Sequence, residues 1–268
     1  MTASTFSPPF SAPAKYLGLS IVGLFVFFGI WFVVSDSGLV PKRVLPSPWD
    51  VAIAFYQISV HPFAGYTLGQ HLMSSLQRFF AGFALAAAAG IPTGLLMGWF
   101  APFRYAISPF FDSLRFIAPL AWVPFAALWF GTGFGGPILV IFTGAFAPCV
   151  INSFRGARLV DRQLIEAAQT LGAGHMRLLV QVLLPGALPS IVAGLRISAG
   201  LAWQSLIGAE LIVVSSGVGY LIVQGQGDVA TSVVISGMVT IGLVGIVIDS
   251  ALLMVHRRIA RGWQEAPQ

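Results

Sequence analysis

Long apolar segments alternate with shorter polar ones along almost the whole chain. Each apolar segment matches the roughly 20 residues that a helix needs to cross a hydrocarbon core. The predicted spans are 16–34, 76–100, 105–130, 137–154, 188–214 and 231–255. The pattern therefore predicts an all-α polytopic membrane protein with six transmembrane helices in a single domain, 15–260. Residues 1–14 lack the basic start and cleavage site of a signal peptide, so we expect the first span to be retained.

Small residues and prolines refine the prediction for individual spans. The second span carries a small residue at every fourth position, which lets a neighbouring helix approach closely. These residues are Gly82, Ala86, Gly90, Gly94 and Gly98. Prolines inside spans free backbone carbonyls and bend helices. We predict such kinks at Pro92, Pro109, Pro119 and Pro124.

The charged residues orient the spans. The chain is 57% hydrophobic and only 9% charged, against about 25% charged in a soluble domain. Most basic residues fall on one side of the predicted membrane, so the positive-inside rule places both termini and the loop 155–187 in the cytoplasm. These residues are Lys15, Arg104, Arg155, Arg158, Arg162, Arg177, Arg257, Arg258 and Arg261. Segments 1–14 and 261–268 are then cytoplasmic tails, and the scattered charges form no stripe that would bind nucleic acid.

The longest segment on the opposite, outer side is 35–75. Its prolines around Ser47 predict a rigid turn that opens a short helix over 49–58. Trp49, Phe55 and Tyr56 either form an aromatic belt at the membrane interface or contact a partner protein, and the sequence leaves both interpretations open.

Few residues could carry catalysis. A P-loop needs a lysine followed by serine or threonine, but the two lysines, Lys15 and Lys42, precede Tyr16 and Arg43. The four histidines lack the spacing of a zinc site or a nucleophile-activating base. The single cysteine, Cys149, suggests no metal cluster. We therefore expect a chain that is not an enzyme and that has no cofactor or metal of its own.

Ionisable residues inside predicted spans are costly, so each suggests a function. Two groups follow a seven-residue spacing that keeps side chains near one helix face. They are Arg115, Trp122 and Trp129 in the third span, and Arg196, Trp203 and Glu210 in the fifth. One interpretation is a polar path across the membrane in which an arginine attracts an anion. The alternatives are that Arg115 pairs with nearby Asp112 and that Arg196 reaches towards the inner interface.

The polar loop between the fourth and fifth spans has clear helix signals. Asp161 can cap a helix that runs through Glu166 and ends at Gly172, which permits a left-handed terminus. A second helix is predicted from about 175 to 184, before Pro185 and Pro189 redirect the chain. Such a helix-Gly-helix element, held between two spans, would convert a push from a cytoplasmic partner into helix tilting. An ordinary solvated loop is the alternative.

Several motifs follow one another from Leu45 to the C-terminus. They are LPSP at 45–48, HLMSSLQRFFAGF at 71–83, PLAWVP at 119–124, LWFGTG at 128–133, EAA at 166–168, LLPGALPSIVAGLRI at 183–197, GAEL at 208–211 and SGVGY at 216–220. The EAA segment with Gly172 and Leu184-Pro185 resembles the EAA motif of permease subunits of bacterial ATP-binding-cassette (ABC) importers, which have the type I (MetI-like) fold. The other motifs resemble the nitrate, sulfonate and taurine branch. One departure is FIA at 116–118, where relatives often carry an extra proline.

The resemblance implies a binding-protein-dependent importer in the bacterial inner membrane. The expected partners are two cytoplasmic ATPases that hold ATP and magnesium, a second permease copy in a homodimer, a periplasmic or lipid-anchored solute-binding protein, and membrane lipid. The expected ATPase-coupling residues are Glu166, Ala167, Ala168, Leu171, Gly172, Ala173, Leu184 and Pro185. Closure of the ATPases would then swing the spans from inward-open to outward-open.

The motifs are most similar to taurine and alkanesulfonate permeases, so the resemblance implies a small anionic solute of that type. Nitrate, cyanate, bicarbonate, phthalate and thiamine-precursor importers have similar permeases and remain alternatives. A different class, the ion-coupled secondary transporter or channel, often shows inverted repeats. No long repeat is evident in this sequence, which favours the importer subunit.

Overall fold

Helices account for nearly all of the chain that the structure describes. The computed structural model describes residues 14–38 and 40–264; the predicted tails lie largely outside these residues. The α-helices are α1 (Ala14–Asp36), α2 (Pro48–Val60), α3 (Leu68–Trp99), α4 (Ala101–Leu114), α5 (Val123–Phe130), α6 (Gly135–Leu159), α7 (Arg162–Thr170), α8 (His175–Leu178), α9 (Leu184–Val213), α10 (Val218–Gly227) and α11 (Thr231–Gln264). A 3-10 turn, Pro119–Trp122, precedes α5, and a π-helical turn, Leu179–Leu183, precedes α9.

The described helices fit a polytopic membrane protein. Five stretches are long and apolar enough to span a membrane, and a sixth span results if the bent pair Ala101–Leu114 and Pro119–Phe130 is counted as one. The predicted all-α polytopic fold is therefore confirmed. The cytoplasmic position of both termini stays a prediction.

The core is built by α3, α6 and α9, and the small residues of α3 lie against α6. A Cβ added at Gly82 would lie 2.7 Å from Ile141 Cβ, and one added at Gly90 would lie 2.7 Å from Cys149 Cβ. Any larger side chain would push the two helices apart. The predicted packing role of the four-residue spacing is confirmed at these positions.

The third predicted span is broken rather than kinked. Helix α4 ends at Leu114, the chain resumes helical geometry at Pro119, and the two halves meet at 85°. Ala118 has extended backbone angles (φ −57°, ψ 137°), because the ring of a proline disfavours helical geometry in the residue before it. The prediction that Arg115, Trp122 and Trp129 share one helix face is therefore wrong.

Helix α2 forms the main element of the predicted outer segment. Ser47 and Asp50 form a capping box at its first turn, with Pro48 as the first helical residue, an arrangement that satisfies the free amides of a helix start. Hydrogen bonds from Ser47 also lower the pKa of Asp50. The preceding loop is tied to the C-terminal part of α1, since Trp31 Nε1 donates to the Pro46 carbonyl at 3.0 Å. The helix predicted over 49–58 is confirmed, whereas its place at the interface stays a prediction.

Candidate functional site

A two-armed hairpin, defined here as residues 161–178, joins α6 to α9. The Asp161 carboxylate accepts a hydrogen bond from the Gln163 amide at 2.9 Å and caps α7 as the sequence predicts. Within α7, Arg162 Nε lies 3.1 Å from Glu166 Oε1, and both side chains are exposed. Such an exposed pair on one helix face contributes little to stability. Glu166 is therefore free to exchange Arg162 for a partner outside this chain.

The turn of the hairpin depends on Gly172. The Gly172 amide donates to the Gln169 carbonyl at 2.9 Å, and the Ala173 amide donates to the Ala168 carbonyl at 3.0 Å. These two bonds form a Schellman motif, which needs a left-handed residue at the position after the helix cap. Gly172 supplies it with φ +79°. The predicted helix end is confirmed, and the EAA residues Ala167 and Ala168 lie directly before the turn.

The hairpin exposes apolar side chains that a solvated loop does not need. No residue of α7 is buried, and Leu171, at the turn, is 87% exposed. Leu164 and Met176 are also exposed. A cluster of exposed apolar residues with a polar rim is typical of a protein–protein contact site. The geometry favours docking of a partner at this end of the molecule.

The second arm of the hairpin continues directly into the membrane-spanning helix. Residues His175–Val213 form one helical stretch, so the prediction that Pro185 and Pro189 redirect the chain is wrong. The π-helical turn explains the difference: a proline cannot donate to the carbonyl four residues earlier, and the turn before Pro185 re-spaces the helix without breaking it. Leu184 and Pro185 are half-buried at the start of α9, away from the exposed turn. The second arm of the hairpin and α9 thus belong to one continuous helical stretch.

The break in the third span places Arg115 among three adjoining cavities. Their volumes are about 300, 230 and 410 Å³, and Arg115 lines all three. Its Nε lies 3.0 Å from Asp112 Oδ1, and its guanidinium lies 4.9 Å from the Phe116 ring centre. The local pair with Asp112 that the sequence offers as an alternative is therefore present. Irregular backbone at membrane depth occurs where it lines a water-filled cavity or is buried in protein.

The predicted path residues that come together form two separate pairs: Arg115 and Trp122 line one cavity, and Arg196 and Trp203 line another. Trp122 lines the 300 Å³ cavity with Arg115, whereas Trp129 is 71% exposed on α5. Arg196 makes a bidentate ion pair with Asp249 of α11, with contacts of 2.5 and 2.7 Å. Buried Trp203 donates its indole N–H to the Ile241 carbonyl at 3.1 Å. The role of these residues in a path stays a prediction.

Glu210 lies in a buried polar network that the sequence reasoning missed. Arg78 Nη1 lies 3.0 Å from Glu210 Oε1, and Arg78 also donates to the carbonyl and hydroxyl oxygens of Ser216, each at 2.7 Å. Ser75 Oγ donates to the Glu210 carboxylate at 2.9 Å. A signal for Arg78 was available, because it lies four residues before Gly82 and so continues the packed face of α3.

The same network holds the first turn of α10. Its free amides donate to side chains of α3 and α9: Gly217 to His71 Nδ1, Val218 to Ser75 Oγ, and Gly219 to Glu210 Oε2, at 3.1, 3.0 and 3.0 Å. Gly217 has φ +118° and has no room for a Cβ beside the Glu210 carboxylate. The spacing of GAEL and SGVGY thus reflects one folded unit at the end of α9.

Comparison with known proteins places this arrangement in a class. A family model described as a binding-protein-dependent transport system inner membrane component matches residues 90–261. The taurine transport system permease protein TauC of Escherichia coli (strain K12) is 35% identical over 247 residues, which cover 92% of this chain and 90% of the relative. The putative aliphatic sulfonates transport permease protein SsuC of Bacillus subtilis (strain 168) is 36% identical over 241 residues, 90% of this chain and 86% of the relative.

Two further similarities complete the comparison. The nitrate import permease protein NrtB of Leptolyngbya laminosa is 30% identical over 276 residues, 97% of this chain and 98% of the relative. A chain of the inward-facing MetNI methionine ABC transporter superposes with a TM-score of 0.63 at 21% identity, covering 72% of this chain and 95% of that chain. At that identity the structural likeness establishes the fold alone.

These findings define a multi-pass permease subunit of an ABC importer in the bacterial inner membrane. More particularly, the chain belongs to the family of inner membrane components of binding-protein-dependent transport systems. The family and the branch inferred from the EAA, GAEL and SGVGY motifs are thereby confirmed. The family consists of permease subunits rather than ATPases.

Proposed function

We propose that this chain forms the translocation route for a small organic anion and couples it to ATP hydrolysis through the hairpin 161–178. The observation that carries the proposal is the exposed, Schellman-capped turn at Gly172, joined without a helix break to α9. A rigid turn with exposed Leu171 can receive a push from an ATPase, and α9 can carry that push into the membrane.

The proposed assembly contains two copies of this chain, two ATPase subunits and an external solute-binding protein. Each ATPase holds ATP and magnesium and binds the segment Glu166 to Ala173 in a surface groove. Leu184 and Pro185 are proposed to transmit the movement rather than to touch the ATPase, because they are half-buried at the foot of α9.

We propose an alkanesulfonate or taurine-like solute. Two relatives whose names specify taurine and aliphatic sulfonates align over at least 90% of this chain. Nitrate is the second candidate, since the nitrate relative aligns over 97% of it.

Reconstitution tests this function. The complex of this chain with its ATPases and binding protein is placed in proteoliposomes, and uptake of labelled taurine, propanesulfonate, nitrate and bicarbonate is measured with ATP and with a non-hydrolysable analogue. We expect ATP-dependent accumulation of a sulfonate. Accumulation driven by a proton or sodium gradient without ATPases would overturn the proposal.

A further inference from the structure

The 230 Å³ cavity beside the broken span has an uncompensated positive charge. Arg115, Asp112 and Arg155 all line it. Arg115 is paired with Asp112, whereas Arg155 has no ion-pair partner among the described residues and its side chain is exposed. Two guanidinium groups and one carboxylate give the lining a net formal charge of +1. A water-filled cavity with this lining attracts an anion.

The neighbouring 300 Å³ cavity has the opposite chemistry. Its lining is almost entirely apolar and is dominated by aromatic rings, among them Trp122, Phe110, Phe142 and Phe146. Arg115 and Phe111 line both cavities, so the charged compartment and the apolar one adjoin at these residues. Ligand sites typically combine such an apolar wall with a few polar groups that fix orientation.

We infer that these two compartments form one binding site in the permease for an organic anion with a short apolar chain. The sulfonate or carboxylate head lies between Arg115 and Arg155, and the chain lies among the rings around Phe142. Guanidinium groups suit planar or tetrahedral oxyanions because they donate two parallel hydrogen bonds. The inference rests on the proposed transport of an organic anion and adds a selection step inside the membrane subunit.

The location of the cavity supports this assignment. Residues 115–118 have irregular backbone between α4 and the 3-10 turn, and the Arg115 side chain is 35% exposed. Such backbone at membrane depth is tolerated beside water. An ionised arginine at the same position is then hydrated, and a ligand head can replace that water.

Binding of a sulfonate series to the complex tests the inference. The permease with its ATPases, but without the binding protein, is placed in phosphatidylcholine nanodiscs, and affinities for methane-, propane- and pentanesulfonate and for nitrate are measured by calorimetry. Each methylene should tighten binding about fourfold, and nitrate should bind most weakly. An affinity that does not depend on alkyl-chain length would overturn the inference that the alkyl chain binds in the apolar cavity.

Matched variants test which residues bind the sulfonate head of the ligand and which bind its alkyl chain. Arg155→Gln and Arg115→Gln should weaken all sulfonates at least about tenfold, and Arg115→Lys should restore part of the loss. Arg104→Gln is the control, because Arg104 lies on α4, the helix that ends directly before Arg115, and lines neither cavity. Phe142→Ala should reduce the dependence of the affinity on alkyl-chain length and leave the affinity for methanesulfonate unchanged. An equal loss of sulfonate affinity in Arg104→Gln and Arg155→Gln would overturn the assignment. Because Arg155 is exposed, Arg155→Gln tests the site of the anionic head even if the Arg115 variants fail to assemble.

A lipid could present the same chemistry, since an anionic headgroup carries acyl chains. Adding phosphatidylglycerol to the nanodiscs distinguishes the two sources. We expect the sulfonate affinities to remain unchanged, whereas competition by phosphatidylglycerol would assign the site to lipid and overturn the inference. ATP-driven uptake without any sulfonate binding would refute this site alone, and binding without ATP-driven uptake would refute the proposed function instead.

Discussion

Arg78 of α3 and Glu210 of α9 form a buried ion pair, with Arg78 Nη1 3.0 Å from Glu210 Oε1 and side chains 7% and 0% exposed. The Glu210 carboxylate also receives the Gly219 amide, so the pair joins α3 and α9 to the first turn of α10. The continuous helical stretch His175–Val213 begins in the hairpin, three residues after Gly172, and contains Glu210, so it connects the exposed turn with this network.

Removing one partner of this pair should destabilise the complex strongly. Arg78→Met leaves an unpaired buried carboxylate, and such changes cost about 3–5 kcal/mol. The double variant Arg78→Met, Glu210→Leu should recover part of that loss. The unfolding temperature of the purified complex measures the loss in the single variant and the recovery in the double variant. The control is Arg162→Met, which breaks an exposed pair and should leave the unfolding temperature unchanged; equal stability of Arg78→Met and Arg162→Met would refute the buried network.

Gly217→Ala should loosen α10. Gly217 has φ +118° with ψ 167°, a region that is essentially restricted to glycine, and occupying it with another residue costs about 1–3 kcal/mol. The added methyl group would also collide with the Glu210 carboxylate. Hydrogen exchange at the α10 amides should accelerate. Gly227→Ala, in the last turn of the same helix and with open space around it, should not change the exchange rates.

Gly94→Ala should separate α3 from α6. A Cβ there would overlap the Val150 carbonyl and lie 2.7 Å from Ser153 Cβ, and overpacking of this kind costs about 1–3 kcal/mol. Gly200→Ala on α9 meets no atom within 4 Å and should be neutral or slightly stabilising. The measurement is the unfolding temperature of the two variants, which should be lower for Gly94→Ala than for Gly200→Ala. A Gly94→Ala variant as stable as Gly200→Ala would mean that close helix contact is not required.

The sequence predicted those features that depend on local rules. Apolar length predicted the spans, the four-residue spacing predicted the packed face of α3, and Asp161 with Gly172 predicted both ends of α7. Each of these depends on residues within one or two turns of each other. The Arg115–Asp112 pair was foreseen for the same reason.

The features that sequence reasoning missed depend on distant contacts or on competition between local signals. The partners Arg78–Glu210 and Arg196–Asp249 come from different helices, and no spacing rule brings them together. Pro119 disfavours helical geometry in the residue before it, and this broke the third span instead of bending it. Residues spaced by seven from Arg115 therefore no longer lie on one helix face. At Pro185 the opposite occurred, because a π-helical turn kept the helix continuous.

The coupling role of the hairpin 161–178 is tested most directly by making the same substitution at two of its glycines. Gly172 has φ +79° and Gly174 has φ −72° at the start of α8, and both have open space around them. Serine suits position 174, which is a helix N-cap, but at position 172 it strains the left-handed backbone by about 1–2 kcal/mol. Solute accumulated per ATP hydrolysed is measured in proteoliposomes, with the solute that the wild-type complex takes up. We expect Gly172→Ser to lower this ratio severalfold and Gly174→Ser to match the wild type; equal ratios for the two variants would contradict coupling through this turn.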